Sequence, residues 1–80
     1  MAYPTYKTRN GSPVTAYVAE AIGKTFKVDG GDFTGKTGVI GSYVTAEEAI
    51  AAAKREKSDT CDVQVTDTRA DGGPKVIFKQ

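Results

Sequence analysis

Val44-Thr45-Ala46-Glu47-Glu48-Ala49-Ile50-Ala51-Ala52-Ala53-Lys54-Arg55-Glu56-Lys57 is the stretch on which the fold turns. Thr45 stands where an N-cap side chain accepts from the first free backbone N–H groups of a helix, and Glu48 three residues later completes the capping-box pattern. Val44 precedes the cap and can staple onto Ala49. Glu47 and Glu48 lie at the positive end of the helix dipole, and Lys54, Arg55 and Lys57 at the negative end. Ala46, Ala49, Ile50 and Ala53 share one face, whose small side chains let the helix lie close on a sheet. The stretch predicts an amphipathic helix over 45–57.

Strand patterns flank it. Val39 to Val44 reads as a strand, with Gly41 weakening it or marking a bulge. Cys61, Val63 and Val65 alternate with Asp62, Gln64 and Thr66, which predicts a strand with one dry and one wet face. Asp71-Gly72-Gly73-Pro74 is a turn, and Lys75 to Phe78 closes a C-terminal hairpin. Further out, Thr25 to Val28 alternates with Phe26 and Val28 on one face. Residues 29–38 form a Gly-rich connection, expected to be mobile. Tyr3 to Arg9 is rich in Thr and Tyr and reads as a first strand, followed by an Asn10-Gly11 turn. Residues 13–22 have two readings. Ser12-Pro13 followed by Val14, Tyr17, Val18, Ala21 and Ile22 fits a capped helix ended by Gly23. Val14-Thr15-Ala16-Tyr17-Val18 is also rich in β-formers and could pair back on Tyr6 to Arg9.

Eighty residues make one domain, 1–80, which buries only about 60% of its unfolded surface and so has a small core. A hydrophobic fraction of 39% argues against disorder, and no apolar run approaches the ~20 residues of a membrane span. The start, Met1-Ala2-Tyr3-Pro4, has neither the basic nor the apolar region of a secretory signal, so a cytoplasmic location is expected.

The chain has one cysteine and no histidine. Cys61 therefore has no intramolecular disulfide partner, the commonest general base is missing, and a structural zinc site lacks ligands. Cys61 falls on the dry side of its strand and reads as a core thiol. Glu47 and Glu48 diverge by about 100° on a helix and read as cap and dipole groups rather than an acid/base pair. Asp62, Asp67 and Asp71 match no calcium-loop spacing and read as solvated charges. No catalytic residue, metal or cofactor is assigned.

Gly30-Gly31-Asp32-Phe33-Thr34-Gly35-Lys36-Thr37 matches the Walker A pattern letter for letter. A phosphate-cradling loop must run from a buried parallel strand into a helix N-terminus. Here the preceding strand alternates, and Gly38-Val39-Ile40-Gly41-Ser42-Tyr43-Val44 is β-like, so the stretch reads as a β–β connection. Charge excludes little. The net charge is +1, with five basic and three acidic groups in residues 1–40 and six and seven in 41–80.

Residues 25–80 resemble small bacterial domains of unknown function built strand–strand–helix–strand–strand, in which an aromatic-x-Thr-x-x-Glu-Ala-Ile segment opens the helix. Tyr43-Val44-Thr45-Ala46-Glu47-Glu48-Ala49-Ile50 is similar to that segment. Phage-encoded inhibitors, anti-CRISPR proteins among them, are similar in size and topology but share no functional residues that transfer. Thr34 to Gly38, continuing through Tyr43 to Ala49, also resembles part of the RNA-recognition motif. That resemblance implies a ferredoxin-like βαββαβ order if 3–9 is a strand and 13–22 a helix, with a C-terminal strand added. It places Gly38 and Ile40 where that family carries base-stacking aromatics, which leaves RNA binding without its usual residues.

The expected fold is thus a small α+β domain, with an antiparallel sheet of four or five strands and helix 45–57 on one face. The expected core is Val18, Ile22, Phe26, Val28, Val39, Ile50, Ala53, Val63, Val65, Ile77 and Phe78. The expected function is non-enzymatic protein binding, as in a phage-type inhibitor or a regulator of a bacterial complex. The exposed sheet edges also allow a homodimer. Phe33 and Lys36, with Lys24, Lys27 and Tyr43, are the candidate contact residues. The alternative is nucleic-acid binding, in which the three lysines neutralise phosphates and Phe33 and Tyr43 stack on bases.

Overall fold

The structure, a computed structural model, describes residues 5–7, 10–11 and 14–80. Its elements are β1 (Tyr17–Gly23), β2 (Thr25–Val28), β3 (Gly31–Thr34), β4 (Gly38–Tyr43), α1 (Ala46–Glu56), β5 (Cys61–Asp67) and β6 (Lys75–Lys79). β4-β1-β5-β6 form an antiparallel sheet, β2 and β3 form a separate two-stranded one, and α1 packs on β1, β4 and β5. This is the α+β class the helix and its flanking strands predict.

The helix forms as its caps require. Thr45 Oγ1 accepts from the Glu48 N–H at 3.2 Å, and Lys57 closes the other end with its N–H on the Lys54 carbonyl. Ala46, Ala49, Ala52 and Ala53 are buried, while Ile50 lies half-buried at the flank. Beneath the helix, Tyr17, Ala19 and Ala21 of β1 stand beside Asp67, Val65 and Val63 of β5. Four alanines of the helix lie over a sheet face that itself includes Ala19 and Ala21, and side chains this small let helix and sheet approach closely.

Residues 17–23 are a strand, which corrects the helical reading of 13–22 and with it the βαββαβ order. The period that matters is two: Tyr17, Ala19 and Ala21 face the helix, and Val18, Glu20 and Ile22 face away. Backbone pairing on both sides, with β4 and β5, stabilises that conformation. The helix start at Ser12-Pro13 lies outside the described residues, as does most of the strand expected over 3–9. Of that strand, Thr5 makes one antiparallel bridge with Thr45. The chain turns back through Gly11, at φ 83°, and Val14 N–H donates to the Tyr6 carbonyl.

The core is built of smaller side chains than expected. Ala53, Val63 and Val65 belong to it, with Cys61, Tyr17 and six further alanines. Ile50, Ile77 and Phe78 pack against its rim. Val18 and Ile22 are on the open face of the sheet instead, half-buried. Val39 is displaced by a β-bulge between Ala19 and Glu20: Gly41 pairs with Ala19 and Val39 with Glu20, so Ile40 is the extra residue. Ile40 turns to the core, and Val39 is 68% exposed. Phe26 and Val28 are outside the core altogether, on the β2–β3 hairpin.

Candidate functional site

Asp29-Gly30 is the two-residue turn between β2 and β3, with Gly30 at φ 94°, which few other residues adopt. The register pairs Thr25 with Thr34, Phe26 with Phe33, Lys27 with Asp32 and Val28 with Gly31. Strand alternation then sorts the side chains. One face carries Thr25, Lys27, Asp32 and Thr34, joined by the 2.9 Å Lys27–Asp32 ion pair and a 3.3 Å hydroxyl contact between Thr25 and Thr34. The other carries Phe26, Val28 and Phe33. The two rings are 5.0 Å apart at a 50° tilt.

That apolar face is open. Phe33 is 50% exposed and Val28 49%. β2 and β3 pack chiefly on each other. A two-stranded hairpin alone is marginal in water, so the attachment of this one matters. Gly35 N–H donates to the Lys24 carbonyl and Lys24 N–H to the Thr60 carbonyl, both at 3.0 Å. Gly23, Gly35 and Thr60 come so close that a Cβ on Gly35 would run into the Thr60 carbonyl, and one on Gly23 into the Gly35 carbonyl. The hairpin is therefore an arm clamped at its base. This corrects the reading of 29–38 as one loop: residues 31–34 are a strand paired along its length with β2. It also explains the Walker-like letters. Gly30 and Gly31 serve the turn, Gly35 the clamp, and β4 rather than a helix follows Thr37.

The other candidate residues divide. Lys24 and Lys36 flank the base of the arm, and Lys27 stands on its polar face. Each meets a carboxylate: Lys24 on Asp62 at 3.3 Å, Lys36 on Glu56 at 3.3 Å and Lys27 on Asp32. Asp62 also receives Lys57 at 2.6 Å. That hydrogen bond, helped by Lys24, holds its carboxyl below the ordinary range against the opposing effect of desolvation. Tyr43 is not on the arm. It packs half-buried against the core, beside Gly41 and opposite Tyr17.

The residues that sequence reading missed here are Phe26 and Val28. Their alternation with Thr25 and Lys27 is visible, but one dry face looks the same whether it meets a core or a solvent-exposed arm.

One more polar site was misplaced. Asp67 is 5% exposed, not a solvated charge. Its Oδ2 accepts from Tyr6 Oη at 2.8 Å and its Oδ1 from the Arg69 N–H at 3.0 Å. The bond to Asp67 pushes the Tyr6 phenol up to about 12, and burial, with the charge of Asp67, raises Tyr17. Tyr6 stacks against Tyr17 at 5.8 Å, so this cluster fastens the N-terminal segment to the sheet. Cys61 is buried as expected, its thiol donating to the Asp62 carbonyl.

Among the described residues no three His, Cys, Asp or Glu side chains gather where they could hold a metal ion. No helix there is long and apolar enough to cross a membrane. Compared with protein-family models, curated proteins and solved structures, the chain matches none.

Proposed function

We propose that this domain is a non-enzymatic protein-binding module whose contact arm is the β2–β3 hairpin, acting in the cytoplasm as a small inhibitor or regulator of a larger complex, of the kind phages encode. One observation carries the reading. Phe26, Val28 and Phe33 form a continuous apolar face on a clamped arm, and the core makes no use of it. Covering such a face gains about 25 cal/mol per Å² of apolar surface removed from water, and a preformed arm has little ordering entropy left to lose. Aromatic side chains of this kind are the usual anchors of protein interfaces. Lys24 and Lys36 at the base give the rim its polarity.

The nucleic-acid alternative begins from three lysines already engaged by Asp62, Asp32 and Glu56. No arrangement of the described residues favours it over protein binding.

The test is affinity capture from a host lysate at physiological salt, comparing the wild type with the double variant Phe26→Ser/Phe33→Ser. The proposal expects one or more proteins retained by the wild type and lost by the variant, with both chains equally folded by circular dichroism. Equal capture by the two would refute the arm as the contact. Capture of nucleic acid that vanishes with rising salt would favour the alternative.

A further inference from the structure

Every strand residue of the arm except Phe26 is exposed, and β2 and β3 pair with no other strand. At about 3.3 Å per residue, the cross-strand pairs run about 13 Å from the clamp to the turn. The apolar face is small. A whole Phe buries about 150–250 Å² and Phe33 is already half covered, so Phe26, Val28 and Phe33 have on the order of 200–300 Å² left to lose. A stable interface takes about 800 Å² from each side. Two copies stacked arm on arm, or a flat partner laid on this one face, fall well short. A partner that closes around the arm does not, because it adds the tip, the edges and the opposite face.

That opposite face is fit for burial. Lys27 and Asp32 pair at 2.9 Å, and the Thr25 and Thr34 hydroxyls meet at 3.3 Å. Covering charges that already hold one another leaves neither buried alone, which is the costly case. Lys27 thus cancels Asp32, and the remaining charge of the arm is Asp29 in its turn. Asp29 is exposed and has no ion pair or side-chain hydrogen bond among the described residues. It stands where an entering arm leads and lies deepest. A carboxylate buried there requires a cation opposite. The same charge disfavours a nucleic acid as the occupant, since phosphates repel it.

We propose that the arm inserts into a cleft of a partner protein, about 13 Å deep, apolar on the wall that meets Phe26, Val28 and Phe33 and with Lys or Arg on its floor opposite Asp29. The insertion rests on the protein-binding reading above and names the shape and charge of the partner. The clamp at Gly35 and Thr60 holds the arm ready for entry. The body of the domain stops it at the base, where Asp62 and Glu56 engage Lys24 and Lys36.

The test is capture from a host lysate on four immobilised chains, each checked by circular dichroism. The reading is the amount of the same protein that each variant retains relative to the wild type. Asp29→Asn keeps a favoured Asn-Gly turn and removes only the charge, so retention should fall about tenfold. Thr34→Arg adds bulk and charge to the polar face and should abolish retention, as Phe26→Ser/Phe33→Ser should from the apolar one. Full retention by Thr34→Arg beside loss in the double phenylalanine variant would put the partner on one face only. That result would overturn the insertion and leave protein binding standing. Retention unchanged or raised in Asp29→Asn would overturn the basic floor and the proposal with it. No protein retained by the wild type, or nucleic acid retained in its place, would overturn both readings.

Discussion

At the centre of the main sheet the largest fully buried side chains are Tyr17, Val63, Val65 and Cys61, and the rest of the core is alanine. On the β2–β3 hairpin, two of the chain's three phenylalanines share a face whose Phe33 is half in solvent. A chain of this size would ordinarily use its bulkiest apolar groups to build its core, because burial of apolar area is its main source of stability. Here close packing of small residues between α1 and β1–β5 supplies the core, and the aromatic surface is left on a clamped arm. The difference separates what holds the fold together from what is available to a partner.

The largest effects belong to the centre. Tyr17→Ala removes the bulkiest fully buried side chain and leaves a cavity under α1. A loss of about 3–5 kcal/mol in urea unfolding is expected, enough to unfold much of a marginally stable population. A loss below 1 kcal/mol would mean that the small-residue core does not depend on it.

The clamp between the two regions comes next. Gly35→Ala drives a Cβ into the Thr60 carbonyl, and overpacking of this kind costs about 1–3 kcal/mol. The amide resonances of Lys24, Gly35 and Thr60 should move furthest. If instead those of β4 and α1 move most, the arm is not held at that point.

A smaller effect tests the fastening of the N-terminal segment. The neutral Tyr6 phenol donates to Asp67, so its folded pKa of about 12 lies above the ordinary 10.0. A group whose pKa folding raises contributes stability in full below its unfolded value and loses it as pH climbs through the folded one. The melting temperature should therefore decline between about pH 10 and 12, and Tyr6→Phe should be lower at neutral pH and flatter across that window. An identical slope in Tyr6→Phe would assign the decline to other groups.

How much of this was legible depends on which forces act locally. α1 was readable to its caps, because Thr45, Glu48 and the charges at each end act within one turn. β5 was readable because Cys61, Val63 and Val65 mark its dry side strongly. β1 was not, since its inward side is Tyr17, Ala19 and Ala21, and alanine carries too weak an apolar signal to set a period of two against Val18 and Ile22. The Val39–Ile40 exchange depends on a bulge, and a bulge depends on the partner strand. The same limit hid the arm. Alternation along Thr25–Val28 defines a dry face but not what that face meets, so Phe26 and Val28 were assigned to a core they do not enter. Of the contact residues named from sequence, Phe33 and Lys27 stand on the arm and Lys24 and Lys36 at its base. Tyr43 was drawn elsewhere by its packing beside Gly41.

The smallest expected change is the most telling. Phe26→Ser/Phe33→Ser, unfolded in urea beside the wild type and followed by a signal from α1, measures what the aromatic pair contributes to the fold. A tilted pair on an exposed hairpin is worth about 0.5–1.5 kcal/mol, nearly all of it local to the arm. The unfolding midpoint of α1 and the main sheet should therefore stay within about 1 kcal/mol of the wild type. A loss of about 3–5 kcal/mol, the range for a core phenylalanine, would mean that the arm belongs to the core and that its apolar face is not held for a partner.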